Sequence, residues 1–383
     1  MFPHLYVHVP FCTGKCHYCG FYSVVADDRC LKGPYTVVPA CEWSSQVRAM
    51  FPETAGHIRT VYMGGGSPDA LGAELLPRLA ANLKARFPLG DVEEWTVEMN
   101  PPGVMSEMVD ALLRMGATRV SIGAQSFCDD TLARIGRRHS AQDVVHAVRR
   151  VQGLGFSNVG IDLIAGLPGV SEAEWKRTLE QTLSLGLTHL SVYALSVEDN
   201  TPLARQVAEG QCALPSDEAQ LDALALAEER LTGAGFGRYE ISNYALPGFE
   251  CKHNLGIWRG NDYLGLGPSA SSRAGRWRWT NPSSLTAYTE TLLQGAAWPV
   301  AREQLSERDD ALERVMFRLR LREGFDPFAA VAEYPVLNGV GEAWEKRLEG
   351  LAHQGVVERG GSRWRLTARG REVCDAVIKT VFD

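Results

Sequence analysis

The sequence predicts an α/β protein whose larger part is an open, partial (β/α)6 barrel of the TIM type, followed by a small helical domain that resembles a winged helix. Two observations support this prediction. Short β-branched runs alternate six times with segments of helical periodicity before residue 235, which indicates a parallel sheet. Glycines and polar residues cluster at or just after the carboxyl ends of these runs, where barrel folds place their chemistry.

The elements follow from these patterns in chain order. The predicted strands are residues 5–9, 60–63, 95–99, 119–123, 159–164 and 189–194. Apolar residues recur at helical spacing between them, for example at Leu75, Leu79 and Leu83. We expect the barrel, with an N-terminal cysteine loop, in residues 1–235, a barrel extension and connecting segment in 236–300, and the C-terminal domain in 301–383. A further strand is expected at 239–244, and a hairpin from 356–357 and 363–366.

The composition excludes several classes of protein. Of the 383 residues, 45% are hydrophobic and 22% are charged, which is typical of a globular chain and not of a disordered one. The formal net charge of −7 argues against a general nucleic-acid binder. No apolar run approaches the ~18 residues of a membrane span, and only ten residues separate Met1 from Cys12. We therefore expect a cytoplasmic protein with at most peripheral membrane contact.

Three of the nine cysteines form a cluster, CTGKCHYC, at Cys12, Cys16 and Cys19. Such a triplet can hold a [4Fe-4S] cluster with one open iron, bind zinc with a fourth ligand elsewhere, or consist of buried thiols. An odd cysteine count and the expected compartment exclude a disulfide framework. The chain has no second C-x2-C or paired histidines for zinc, so the iron–sulfur cluster is favoured. The single cysteines at positions 30, 41, 128, 212 and 374 are expected to be structural.

The stretch YVHVPFCTGKCHYCGFYS resembles the N-terminal signature of radical S-adenosylmethionine (SAM) enzymes of the oxygen-independent coproporphyrinogen III oxidase type. The resemblance continues in family order to about residue 272, through YMGGGSPDAL, VEMNPP, RVSIGAQSFCDDTLARIGRRH, GIDLIAGLPG, YEISNYALPGFECKHNL and DYLGLGPSASS. It implies a barrel of the radical SAM type. The chain is most similar to the heme chaperone branch, because Cys12 lies almost at the N-terminus and Phe21 stands where the oxidase has another cysteine. It departs from that branch at Ile257, where tyrosine is usual.

The resemblance implies the ligands of two cofactors. Cys12, Cys16 and Cys19 would hold the [4Fe-4S] cluster, and the contacts of SAM would be Tyr6, Gly65, Gly66, Ser67, Glu98, Gln125, Arg137 and Asp162. Chemically, Glu98 and Asp162 can accept hydrogen bonds from the ammonium and ribose groups, and Arg137 can pair with the carboxylate. The plainer alternatives are a tight turn for the glycines, helix capping for the acids, a surface charge for Arg137 and a structural hydrogen bond for Gln125.

By the same resemblance, the protein is a heme chaperone that binds the cluster, SAM and heme and delivers heme to apo-hemoproteins of the respiratory chain. Oxidative decarboxylation of coproporphyrinogen III and a zinc-containing binding module remain as alternatives, although we expect no coproporphyrinogen oxidase activity. The sequence leaves SAM cleavage and a homodimer open.

A heme carrier needs an axial ligand, and neutral imidazole is a common one. His253, between Cys251 and Trp258, is the predicted ligand, and hydrogen bonding across the carboxyl edge of the barrel is the alternative.

Overall fold

A computed structural model of the chain describes residues 2–25, 29–42, 57–296 and 300–383, with the side chains of residues 29 and 30, hence that of Cys30, outside the description. The strands are β1 His4–Val9, β2 Phe11–Cys12, β3 Val24–Val25, β4 Thr60–Gly65, β5 Glu94–Met99, β6 Arg119–Gln125, β7 Val159–Ala165, β8 His189–Ala194, β9 Gly237–Arg238, β10 Asn243–Ala245, β11 Tyr263–Leu266, β12 Ser271–Ala274, β13 Trp277–Thr280, β14 Arg302–Gln304, β15 Val357–Gly360 and β16 Arg363–Leu366.

The helices carry the remaining regular structure. They are α1 Arg29–Tyr35, α2 Val38–Glu42, α3 Gly72–Lys84, α4 Ser106–Met115, α5 Asp129–Arg134, α6 Ala141–Gly153, α7 Glu172–Leu183, α8 Pro202–Ala208, α9 Asp217–Gly233, α10 Lys252–Trp258, α11 Leu285–Leu293, α12 Glu307–Arg318, α13 Pro327–Glu333, α14 Gly341–His353, α15 Ala368–Glu372 and α16 Cys374–Phe382, with short 3₁₀ turns at Pro68–Leu71, Pro101–Gly103 and Pro335–Leu337. None of the helices in the described ranges is both long and apolar enough to cross a membrane.

The main sheet confirms the predicted barrel. Strands β1, β4, β5, β6, β7 and β8 lie side by side in chain order, and each neighbouring pair is parallel. A doubly wound sheet would reverse its strand order part-way, whereas a sheet that keeps the chain order is wound in one direction and curls. The order therefore makes this an open barrel with its helices on the outer face.

The segment after residue 236 extends both edges of the barrel. Strand β11 pairs parallel to β1 and is followed outward by antiparallel β12, β13 and β14, while β10 and β9 continue antiparallel from β8. The prediction of one strand at 239–244 is wrong, because the chain forms the β9–β10 hairpin there. The Tyr239 N–H donates to the Asn243 carbonyl, 3.0 Å away, and closes the turn of this hairpin. Strand β14 also carries the sheet past the expected domain boundary at residue 300.

The barrel strands have one apolar and one polar face. Alternate residues such as Leu5, Val61 and Val97 are fully buried in a core with the helices. The intervening residues face the barrel interior and are mostly polar: His4, Tyr6, His8, Thr60, Tyr62, Glu94, Thr96, Glu98, Arg119, Ser121, Asp162, His189, Ser191 and Tyr193. Several of them hydrogen-bond to one another between strands. Since parallel strands are usually apolar on both faces, this interior is suited to a polar ligand.

The C-terminal domain has its own core, which includes Val315, Trp344 and Trp364. The predicted hairpin is confirmed as β15 and β16. The domain packs against the amino-terminal end of the barrel, where Phe317 lies 5.9 Å from Trp258 and Arg314 pairs with Asp262 at 3.0 Å. In the described part of the chain it therefore leaves the opposite, carboxyl end of the barrel uncovered.

Candidate cofactor site at the carboxyl end of the barrel

The three clustered cysteines lie in the loop that follows β1. Strand β2 pairs with β3 across this loop, the Lys15 Nζ donates to the Phe21 carbonyl at 2.6 Å, and the Cys19 N–H donates to the Cys16 carbonyl at 3.3 Å. All three thiols are half-buried and free. Hydrogen bonds therefore hold the loop at both ends, and the three sulfur atoms lie on one short segment.

The thiols interact electrostatically with one another and with Arg137. Burial raises the pKa of Cys12, and the charges of Cys19 and Cys16 raise it further. Arg137 Nη1 lies 3.4 Å from Cys16 Sγ, in position to stabilise a thiolate. Within the described ranges, no three His, Cys, Asp or Glu side chains surround a single metal ion. Three thiolate donors on one loop beside a guanidinium fit a [4Fe-4S] cluster, in which three of the four irons would each take one cysteine thiolate.

Of the two phenylalanines next to the cysteines, one is buried in the main core and the other is exposed. Phe11 is fully buried in the main core, with its ring 5.3 Å from that of Tyr35. Phe21 is 67% exposed. Tyr18 packs against a small apolar group that includes Ile135 and Leu167, and its hydroxyl hydrogen-bonds with Cys16.

The glycine turn after β4 holds the cysteine loop against the barrel. The Gly66 N–H donates to the Val9 carbonyl at 3.0 Å, and a Cβ on Gly66 would lie 2.4 Å from that carbonyl oxygen. No larger residue fits there without moving the backbone. Gly65 donates its N–H to Glu98 Oε2 at 3.2 Å, and the buried Ser67 donates to Asp69. These contacts support the tight-turn alternative, and the turn borders the barrel interior.

Glu98 and Asp162 form an acidic pair inside the barrel. Glu98 Oε1 accepts from the Tyr62 hydroxyl at 2.6 Å, and Asp162 Oδ1 accepts from the Ser121 hydroxyl at 3.3 Å. Burial raises the pKa of Glu98 to about 7, with a further contribution from the Asp162 charge, and burial also raises the pKa of Asp162. Neither acid caps a helix of the described chain. Two neighbouring, half-buried carboxylates of this kind suit a cationic ligand.

The position of Asp162 differs from the prediction, which placed it at a strand end. It lies in the middle of β7, where it pairs in register with Gly123 on β6 and Ser191 on β8. The stagger between neighbouring strands of a barrel brings this central residue to the level of Glu98, near the end of β5. The two acids meet despite their different places in their strands.

Arg137 and Gln125 lie beside the acidic pair at the end of β6. Arg137 is half-buried, donates to Asn100 Oδ1 at 2.7 Å and to the Gly123 carbonyl, and has a buried Nε without a partner, so the surface-charge alternative is wrong. Gln125 has a φ of 65° next to an irregularity in the β6–β7 register. A Cβ on Gly123 would lie 3.0 Å from Gln125 Nε2, so the glycine makes room for both side chains. A strained non-glycine residue at a strand end is typical of a functional site.

Tyr6 is the remaining predicted contact, and its hydroxyl lies 3.2 Å from Nδ1 of His8. The sequence analysis missed four interior residues that border these groups: His8, Tyr62, Asn100 and Tyr193. Three of them, His8, Tyr62 and Tyr193, occupy alternate positions on the polar faces of β1, β4 and β8. The period of two in the polar residues is the signal that predicts them.

His253 lies at the opposite end of the barrel from the cysteine loop. Its Nδ1 is 2.9 Å from the hydroxyl of Thr60, the first residue of β4, and its ring lies 5.1 Å from that of Tyr62. Glu94, the first residue of β5, accepts the His253 N–H at 3.0 Å and the Cys251 thiol at 3.3 Å. The residue is 2% exposed. The geometry matches the structural alternative, with the correction that the bonds cross the amino edge of the barrel and not its carboxyl edge.

Comparisons with known proteins agree with this architecture. The model of the Radical SAM superfamily matches residues 6–182, and that of the HemN C-terminal domain matches residues 305–373. A protein named heme chaperone HemW from Mycobacterium tuberculosis is 37% identical over 99% of this chain and 94% of its own length. Another of that name, from Escherichia coli K12, is 31% identical over 98% and 97%. This chain belongs to the HemW family of radical SAM proteins.

A solved structure supports the same fold for this HemW-family chain. Coproporphyrinogen III oxidase (HemN) from Escherichia coli, described as a radical SAM enzyme, superposes with a TM-score of 0.82. The match covers 100% of this chain and 90% of that one at 25% identity. The predicted resemblance and the radical SAM fold class are therefore confirmed, including the C-terminal domain that the HemN model describes.

Proposed function

We propose that this HemW-family protein is a cytoplasmic heme chaperone that carries a [4Fe-4S] cluster and SAM and delivers heme to apo-hemoproteins of the respiratory chain. The observation that supports this most is the near full-length identity to proteins named heme chaperone HemW. The cysteine loop and the polar barrel interior supply what such a protein needs to hold the first two groups.

Each group at the carboxyl end of the barrel has a role in this proposal. Cys12, Cys16 and Cys19 ligate three irons of the cluster, whose fourth iron would chelate the amino and carboxylate groups of SAM. Glu98 and Asp162 accept hydrogen bonds from the ammonium and the ribose hydroxyls. Arg137 sits between Cys16 and Asn100, where its guanidinium stabilises a thiolate and can reach a carboxylate.

Tyr6, Gln125 and the turn from Gly65 to Ser67 complete the proposed SAM pocket. Tyr6 lies on the barrel wall, and Gln125 is the last residue of β6. The turn borders Glu98, which accepts the Gly65 N–H. The turn is held by the hydrogen bonds of the Gly66 and Gly65 N–H groups within the protein, so this part of the site does not depend on a ligand for its conformation. A site that is ordered in advance lowers the entropy cost of binding.

The second candidate function is oxygen-independent coproporphyrinogen III oxidation, favoured by the structural match to HemN. Purified, reconstituted protein offered heme and coproporphyrinogen in parallel under anaerobic conditions separates the two. We expect a Soret band that saturates at about one heme per chain, transfer of that heme to an apo-hemoprotein, and no decarboxylated porphyrin. Decarboxylation without heme binding would instead assign the protein to the oxidases.

The predicted ligation of heme by His253 stays a prediction that one variant decides. Because the ring is buried and hydrogen-bonded, we expect His253→Ala to lower the free energy of unfolding by ~2 to 4 kcal/mol, through a cavity and a lost hydrogen bond. If His253 ligates the heme, the Soret maximum of the complex should shift in this variant; if its role is structural only, the maximum should stay in place. Thermal unfolding and a heme titration measure the two effects.

Thr60→Val is the matched control, since it removes the hydroxyl that lies 2.9 Å from His253 and 2.8 Å from His4 while leaving both rings. A structural role predicts that this variant also loses stability, by a smaller amount. A shifted Soret band in His253→Ala with unchanged stability would show instead that His253 is the axial ligand.

A further inference from the structure

A cleft at the junction of the two domains is lined by arginines from both. It has a volume of about 510 Å³ and lies between the barrel edge, at α9 and β9, and the C-terminal domain. Its charged residues are Arg238, Arg320, Arg322, Arg365, Arg371, Glu228, Glu240 and Glu358. None of the proposed cofactor contacts lines it. Since the chain as a whole carries a net charge of −7, an excess of cations here runs against the overall composition.

Most of these charges are paired within the cleft. Glu228 accepts from Arg238 at 2.7 Å and also from Arg371, so that one carboxylate serves a guanidinium of each domain. Arg365 pairs with Glu358 at 2.7 Å. These pairs hold the walls of the cleft in place and join the barrel to the C-terminal domain.

The third acid of the cleft is used in part by the β9–β10 turn. Glu240 is buried, and its Oε1 accepts from the Asn243 side chain and, at 3.2 Å, from the Ser242 N–H. Arg320 pairs with Asp375 at 2.7 Å. Among the described residues, the Arg322 guanidinium has no acid partner.

Two donors of the cleft lack acceptors among the described residues. Arg322 is an exposed residue that lines the cleft, and its guanidinium makes no hydrogen bond to a described residue, although its backbone N–H donates to the Tyr239 carbonyl at 3.0 Å and fixes the chain at that point. Arg371 Nε is buried and has no partner. A buried donor without an acceptor costs ~1 to 3 kcal/mol, and in folded proteins it is usually satisfied by a bound water or ion.

We propose that this cleft binds a small multivalent oxyanion, of the phosphate or dicarboxylate type, through Arg322 and Arg371. Guanidinium groups match the paired oxygens of both classes in bidentate geometry. Both arginines belong to the C-terminal domain, and Arg371 is also paired with Glu228 of the barrel, so an anion held there would lie at the junction of the two domains. This site is separate from the cofactor site, so it does not depend on the proposed heme function.

The test uses the full chain at constant ionic strength and measures binding by calorimetry and thermal unfolding. Pyrophosphate and citrate are the probes, and sodium chloride is the blank. We expect at least one probe to bind and to raise the unfolding temperature above the blank, and which probe binds more tightly identifies the class of anion. Arg322→Ala should weaken that binding by tenfold or more, because a charge-assisted hydrogen bond contributes ~1.5 to 3 kcal/mol.

Two further variants make the result specific. Arg371→Lys keeps the positive charge but removes the Nε donor, and it should weaken binding while the protein still folds. Arg86→Ala removes an exposed arginine outside the cleft and should bind as the parent does. The proposal is wrong if neither probe binds above the blank, if Arg322→Ala binds as tightly as the parent, or if Arg86→Ala weakens binding equally.

Discussion

Replacing Cys12, Cys16 or Cys19 with alanine is expected to abolish the iron–sulfur cluster, which is the largest effect that the structure predicts. In the proposed site each thiolate ligates one iron, and no other cysteine lies in the described part of this loop to replace it. Iron and sulfide should fall from about four of each per chain to a small residue, and the broad visible charge-transfer absorption should disappear. Metal analysis and the absorption spectrum of anaerobically reconstituted protein measure both.

Cys212→Ala is the control for this experiment, because Cys212 is a free, half-buried cysteine away from the loop. It should keep the full iron content and the same spectrum. An alanine variant of any of the three loop cysteines that retained four irons would contradict the ligand assignment. Zinc in place of iron in the parent would return the protein to the zinc-module alternative.

Removing either interior acid is expected to weaken SAM binding by ~30-fold or more, since loss of a buried partner of a charged group costs ~2 to 5 kcal/mol. Asp162→Ala and Glu98→Gln test the two positions. The pKa of Glu98 is raised to about 7, so below that pH its carboxyl group is neutral and attracts an ammonium group less. Affinity of the parent should therefore rise with pH between 6 and 8, and this rise should be smaller in Glu98→Gln.

A second buried acid supplies the control for the pH effect. Glu42 also has its pKa raised to about 7 by burial, but its carboxylate accepts from Tyr288 and Asn281, outside the barrel interior. Glu42→Gln should keep both the affinity for SAM and its rise with pH. Equal affinity of Asp162→Ala and the parent, measured by equilibrium binding to the cluster-loaded protein, would show that Asp162 does not contact the ligand.

Much of the fold could be predicted from patterns among residues that are close together in the sequence. The β-branched runs, the glycine turn after β4 and the helical spacing of Leu75, Leu79 and Leu83 predict the strands and helices of the barrel within a residue or two. The cysteine triplet likewise predicts its loop. Strand and helix patterns are visible in the sequence because they depend on residues two to four positions apart.

The burial of individual residues, and the end of the barrel at which they lie, depended on contacts between segments that are far apart in the sequence. The sequence leaves open whether Arg137 is a ligand contact or a surface charge. The residue is half-buried because Asn100, just after β5, and Gly123 on β6 accept hydrogen bonds from it. His253 lies in a stretch that suggests a heme ligand. Helix α10, which contains it, nevertheless packs at the amino end of the barrel, where Glu94 accepts the His253 N–H. No local pattern encodes such partners.

The sequence by itself therefore determined the identity and order of the barrel strands, the cysteine loop and the family, since these depend on local periodicity and on motifs read along the chain. The tertiary structure decided which side chains meet. It placed Asp162 from mid-strand next to Glu98, inserted β11 beside β1, and put the C-terminal domain against the amino end of the barrel. The physical reason is that strand stagger and domain packing are set by the whole buried surface, to which residues far apart in the chain contribute together.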